Sequence, residues 1–111
     1  SAPFHCTLMK KAEEEMQKYL ANVVVNKPSI PIISNFVASA QNDPTKIKEL
    51  LIKQICGRVR WRESILYMNT EGINKIVEIG PSKTLTNMMK RFKLDLKTIN
   101  IESIDDIKNY D

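Results

Sequence analysis

Glycine is scarce in this sequence: Gly57, Gly72 and Gly80 are the only three. Scattered singly, they supply neither a glycine-rich phosphate cradle nor a Gly-x-Ser-x-Gly elbow, the strained turn that exposes a nucleophilic serine. Cysteine occurs twice, at Cys6 and Cys56, outside any paired motif. Neither a disulfide scaffold nor a zinc site is therefore implied, no metal-ligand set is read, and a reducing compartment is expected. No apolar run approaches the ~20 residues that span a bilayer. No basic-then-apolar leader stands before Ser1, so a membrane protein is not expected. The excess of positive charge is small as well, 17 basic against 13 acidic side chains. Without a clustered patch, that balance does not point to nucleic acid.

What is present fits one small unit over residues 1–111, with no internal linker, repeat or low-complexity tract. With 42% hydrophobic residues the chain can bury a modest core. Between Leu8 and Val23, Leu8, Met9, Ala12, Met16, Tyr19, Leu20 and Val23 recur at helical spacing, while Lys10, Lys11, Glu13, Glu14 and Lys18 take the other face. Asn26-Lys27-Pro28 ends that helix, and the β-branched run from Ile30 to Ile33 reads as a strand or strand edge. Ser39 to Asp43 reads as a polar loop. Asp43 is placed to cap a helix from about Thr45 to Cys56, with Pro44 at its first position and Gly57 closing it. A third helical pattern after Trp61 stops at Gly72.

Ile76-Val77-Glu78-Ile79 is the clearest buried strand, and Gly80-Pro81-Ser82 turns from it into a helix bearing Leu85, Met88, Met89 and Phe92. A last strand is read from Leu96 to Ile101, with a short helix from about Asp105. Three short strands alternating with four or five helices give an α/β fold in layers. Its strands are expected to be mainly parallel. A parallel sheet this thin needs covering on both faces and at both edges. Together with the abrupt opening Ser1-Ala2-Pro3-Phe4, that points to a piece of something larger.

His5 is the only histidine, and histidine is the side chain whose ordinary charge change falls near neutrality. It stands in a Pro-Phe-His turn just before the first helix. Taken alone it fits a general base or, more commonly, a surface or packing residue. Cys6 is its neighbour in sequence, but adjacent side chains rarely face each other, so a nucleophile role is not favoured. Gln54, read alone, is a polar residue on a helix face. Asn35 ends a strand, a usual place for site residues in such sheets and equally a place for ordinary turn chemistry. Gly80-Pro81-Ser82 opens a helix but has too few glycines to cradle phosphate, so it reads as a structural turn. Lys83, Lys90, Arg91, Lys93 and Lys97 make either a solvated face or a surface for an acidic partner.

Four segments, in order and covering nearly the whole chain, resemble the malonyl-CoA:acyl-carrier-protein transacylases. Ser1-Ala2-Pro3-Phe4-His5-Cys6-Thr7-Leu8-Met9 is similar to the family's Pro-Phe-His-Ser-x-Leu-Met. Ile30-Pro31-Ile32-Ile33-Ser34-Asn35 is similar to Ile-Pro-Val-x-x-Asn. Leu50-Leu51-Ile52-Lys53-Gln54, followed by Val59-Arg60-Trp61, resembles Leu-x-x-Gln and Val-x-Trp. Glu78-Ile79-Gly80-Pro81-Ser82-Lys83-Thr84-Leu85 resembles Glu-x-Gly-Pro-Gly-Lys-x-Leu, with Ser82 in place of a frequent glycine.

The resemblance implies the C-terminal part of an α/β-hydrolase-like core, without the N-terminal half and the inserted ferredoxin-like subdomain. It implies a ping-pong reaction of fatty acid synthesis. Malonyl passes from coenzyme A to a serine, then to the phosphopantetheine thiol of acyl carrier protein, with no cofactor and no metal. By the same resemblance His5 is the general base, and the backbone carbonyl of Gln54 accepts its second N–H in place of an aspartate. Phe4 matches a position whose bulk accompanies malonyl over methylmalonyl, although one methyl discriminates by only ~1–3 kcal/mol. Asn35 joins it as a candidate substrate-binding residue.

The nucleophile, the carboxylate-holding arginine and the oxyanion-hole glutamine belong to the part not present, so this chain by itself is expected to be inactive. Its expected partners are acyl carrier protein, a coenzyme A thioester and the rest of the same enzyme, in a bacterial cytoplasm or a plastid or mitochondrial matrix. Two rivals remain open: an acyltransferase domain of a polyketide or fatty acid megasynthase, and a noncatalytic module binding a carrier protein through its lysines.

Overall fold

The computed structural model describes residues 3–110; Ser1 and Ala2, which open the first of the four segments, and Asp111 lie outside the described residues. The chain divides into two compact units, one running to Tyr67 and one beginning at Met68.

In the first unit a short 3-10 turn, Thr7–Met9, leads into helix α1, Lys10–Ala21, which packs on helix α2, Pro44–Lys53. The start of α2 follows from its sequence. Asp43 is extended (ψ 118°), its Oδ1 accepts from the Thr45 N–H at 3.0 Å, and Pro44 occupies a position where a missing N–H costs nothing. Strand β1, Ile32–Ile33, pairs antiparallel with β2, Ala40–Gln41, with Ile32 opposite Gln41 and Ile33 opposite Ala40. Helix α3, Trp61–Thr70, begins in this unit and ends in the next. Ala38, Ile47, Leu50 and Ile65 form the buried apolar centre.

The second unit is a strand–helix–strand arrangement: β3, Lys75–Ile79, helix α4, Thr84–Met89, and β4, Lys97–Ile101. The strands run parallel, from Lys75 opposite Lys97 to Ile79 opposite Ile101. Helix α5, Ile104–Lys108, follows. Ser103 opens it with a reciprocal cap: its hydroxyl accepts from the Asp106 N–H at 3.1 Å, and Asp106 Oδ2 accepts from the Ser103 N–H at 3.0 Å. The Lys75 ammonium sits 4.8 Å from the centre of the Tyr110 ring and ties the end of the chain to β3.

Several sequence-based boundaries shift. The first helix is shorter than Leu8 to Val23, because its first turn is 3-10 and Val23 lies past its end. The Ile30–Ile33 strand shrinks to two residues, leaving Ile30 77% exposed. Ser39 to Asp43 is not wholly a loop, since Ala40 and Gln41 pair with β1. A two-residue strand shows no period-2 pattern that sequence reading could detect. Among the described residues there are thus four strands rather than three, and one of the two pairings is antiparallel rather than parallel.

Candidate functional site

The site begins at the carboxyl end of α2. The last carbonyls of a helix have no acceptor duty within it and look outward for a donor. Gln54, just past Lys53, keeps a helical conformation and gives its own N–H to the Leu50 carbonyl at 3.0 Å. Its carbonyl oxygen is met by the ring of His5, with Nδ1 at 2.7 Å. His5 reaches it from a loop in which its φ is +55°, a left-handed conformation that costs a residue with a Cβ roughly 1–3 kcal/mol. Around it the loop is held locally. Cys6 Sγ donates to the Pro3 carbonyl at 2.9 Å, and the Met9 N–H bonds to the Cys6 carbonyl at 3.0 Å.

That contact fixes the tautomer. A carbonyl oxygen only accepts, so Nδ1 carries the hydrogen and the neutral ring keeps its lone pair on Nε2. The His5 ring is exposed, and Nε2 has no hydrogen-bond partner among the described residues. The arrangement can take a proton from a hydroxyl or thiol brought to Nε2 and return it.

Gln54 is used at both ends. Its Oε1 faces Asn35 Nδ2 at 3.4 Å, a long contact, so three of the four sequence-predicted residues, His5, Gln54 and Asn35, come together. Asn35 is carried by a tight turn after β1. The Ala38 N–H bonds to the Ser34 carbonyl at 2.8 Å, the Phe36 N–H to Ser34 Oγ at 3.1 Å, and the Asn35 carbonyl accepts the Arg60 N–H at 3.0 Å. The Phe36 ring lies so close to Gly57 that a Cβ there would clash with two carbons of the ring's edge. Glycine is required here by close approach, and it locks the Asn35 turn to the chain leaving Gln54. The fourth residue, Phe4, neighbours His5 in the chain and is 65% exposed. A cleft of about 290 Å³ opens beside the cluster, with Ile33, Ile47, Leu50 and Leu51 as apolar lining and Asn35 and Gln54 at its polar edge.

Two features escaped the sequence reading. Glu78, buried in β3, accepts the Leu85 N–H at 3.0 Å on Oε1, and the Thr86 N–H and hydroxyl at 2.7 and 2.6 Å on Oε2. It caps α4 from a distance, and the Thr86 hydroxyl above all holds its carboxyl below the usual range. The Glu-x-Gly-Pro run ahead of a helix was the available signal. Gly80-Pro81-Ser82 serves as the turn of this cap, with the Gly80 N–H on the Ile101 carbonyl at 3.0 Å and Asn100 Nδ2 on the Ser82 carbonyl at 2.7 Å. The second feature is Cys56, half-buried and facing Glu13; burial first, then Glu13, pushes its thiol up. Glu13 is itself held low by its bond to Lys10.

Of the basic group, Lys83 and Lys90 line a polar depression together with Glu102 and Asp106, so that surface carries both signs. Among the described residues no three His, Cys, Asp or Glu side chains gather as a metal would require, and no helix is long and apolar enough to cross a membrane.

No family model matches the chain. Curated relatives do. Over 104 residues it is 35% identical to the malonyl CoA-acyl carrier protein transacylase of Haemophilus influenzae, a match spanning 94% of this chain and 33% of that protein. The fold agrees. The crystal structure of acyl-carrier-protein-S-malonyltransferase from Bartonella henselae superposes with a TM-score of 0.91 at 38% identity, over 98% of this chain and 35% of the other. A malonyl-transacylase solved in complex with its type II polyketide acyl carrier protein gives a TM-score of 0.88 at 27% identity, over 98% and 35%. The chain thus spans about a third of the length of the proteins it matches. Over nearly all of its own length it is similar to that stretch of the transacylases, and its fold matches a portion of their α/β core.

Proposed function

We propose that this chain is the C-terminal portion of an enzyme that moves malonyl from malonyl-CoA, through a seryl ester, to the phosphopantetheine thiol of acyl carrier protein in fatty acid synthesis. The observation that carries the reading is His5 Nδ1 on the Gln54 carbonyl at 2.7 Å. Such a contact orients a neutral imidazole without burying a carboxylate, and it leaves Nε2 as the base. In the first half-reaction Nε2 takes the serine proton as the oxygen attacks the thioester carbon, then gives it to the departing coenzyme A thiol. The second half-reaction runs the same exchange with the carrier thiol as nucleophile. His5 is the only residue of this chain that handles a proton. Gln54 positions it, Asn35 steadies the Gln54 side chain, and Phe4 narrows the approach to an α-branched acyl group.

The serine must come from the rest of the polypeptide, since no Gly-x-Ser-x-Gly occurs among these residues. This chain alone therefore transfers nothing. No cofactor enters the scheme, the thioester and the carrier thiol being substrates, and the setting is a bacterial cytoplasm or an organelle matrix. A carrier from polyketide synthesis is the second reading, favoured by the similarity to the malonyl-transacylase solved with such a carrier. Incubating the longest polypeptide that contains this segment with malonyl-CoA, then with methylmalonyl-CoA, and weighing it intact tests the proposal. Rapid malonyl addition that His5→Ala strongly slows is expected; no covalent acyl adduct on the complete polypeptide overturns it.

A further inference from the structure

We propose that Cys6 and Cys56 form a reversible disulfide that switches off the His5 base. The juxtaposition follows from the site. The His5–Gln54 contact pins the loop carrying residue 6 against the turn carrying residue 56, across 49 positions of sequence. Helix α1, which starts just after Cys6, packs on α2, which ends just before Cys56. Glu13 of α1 faces the Cys56 thiol, and the two sulfurs lie within electrostatic reach of each other. Both cysteines are free and half-buried, and neither has a part in the proton transfers.

The chemistry balances with a peroxide as oxidant. The Cys6 thiolate attacks one peroxide oxygen, forming a sulfenic acid and releasing hydroxide, which the proton given up by the thiol converts to water. The Cys56 sulfur then displaces the second oxygen as water, its proton leaving with it, and the S–S bond closes. Burial first, and then Glu13, push the Cys56 thiol up, so Cys6 is the sulfur oxidised first and Cys56 gives up its proton only as it attacks the sulfenic acid. To reach Cys56, the Cys6 sulfur must leave the Pro3 carbonyl on which it now rests at 2.9 Å. That carbonyl contact braces the loop in which His5 holds its left-handed φ of +55°, so the loop that sets the ring on the Gln54 carbonyl must rearrange for the new bond to form.

The effect on turnover rests on the transacylase reading; the disulfide itself does not. The full-length polypeptide is treated with hydrogen peroxide, its remaining thiols are alkylated, and it is cut with trypsin without reductant. Cleavage after Lys10, Lys53 and Arg58 separates the Cys6 peptide from Gln54–Arg58. A linked pair of these two peptides, freed by dithiothreitol, is expected, together with a fall of tenfold or more in malonyl loading that reduction restores. Cys56→Ser is expected to load normally before and after peroxide. Separate sulfinic acids, a bond between two copies of the chain, or a linked pair with undiminished loading each overturn the proposal. If the reduced protein loads no malonyl at all, the transacylase reading fails, and the linked peptide decides the thiol pair by itself.

Discussion

Nδ1 of His5 lies 2.7 Å from the backbone carbonyl oxygen of Gln54. The partner is a main-chain atom, so its position is set by where α2 ends and not by the glutamine side chain. In the proposed mechanism a helix terminus takes the place that a carboxylate holds in other base-orienting pairs, and it does so with a group the helix leaves unpaired in any case.

This separates the two residues experimentally. In the full-length polypeptide His5→Ala removes the proposed base and is expected to lower malonyl loading by about 10²–10⁴-fold. Gln54→Ala keeps the carbonyl and loses only the 3.4 Å contact with Asn35, so a far smaller loss is expected. Rates from intact mass over time decide it. Equal losses in the two variants would mean that the Gln54 side chain, not its backbone, does the work.

Gly57 provides a test of how the Asn35 turn is held. A methyl group at this position meets the Phe36 ring, and overpacking of that kind typically costs about 1–3 kcal/mol. Gly57→Ala is expected to lower the thermal midpoint, and Phe36→Leu in the same background to recover part of the loss. An unchanged midpoint in the single variant would show that the ring moves aside freely.

Legibility from sequence varied with how local the cause is. Asp43 capping α2, Pro44 behind it and the stop at Gly72, whose φ is +83°, depend on residues next to each other, and all three were readable. The β1–β2 pairing was not, because each strand is two residues long. Neither was Glu78, whose partners Leu85 and Thr86 lie beyond the next turn and become visible only when the carboxylate folds under α4. Within the site, the motifs supplied His5 and Gln54 by resemblance. The Gly57–Phe36 contact that braces Asn35 is a matter of space, for which sequence carries no sign.

Glu78 makes a pH prediction. Three donors favour its ionised form, the Thr86 hydroxyl most of all, so its carboxyl titrates below the ordinary carboxylate range in the folded chain. A group depressed on folding adds stability above its unfolded value of roughly 4.3, and that stability is lost as pH falls through the folded value. Glu78→Gln is therefore expected to be less stable than wild type at pH 7 and to lose less on acidification. Denaturation midpoints from pH 7 to pH 3 measure both. Parallel curves for the two proteins would remove Glu78 as the cause; Asp106, Glu13, Glu49 and Glu63 are also held low and keep some acid sensitivity in either case.

The last prediction concerns what surrounds these residues. Leu8, Val24, Ile30 and Ile79 are each between 77% and 84% exposed, while only five apolar side chains among the described residues are buried. Scattered surface leucines are ordinary, but a β-branched residue left open at the end of a parallel strand is not, since parallel sheets are normally covered on both faces. Produced alone, the 111-residue chain is expected to bind a hydrophobic dye and to associate with itself. Co-produced with the remainder of its polypeptide as a separate chain, it is expected to lose dye binding and to load malonyl on the partner's serine. A chain that alone stays monomeric and dye-free would mean that these side chains are covered by nothing, and the reading as part of a larger core would fall with that result.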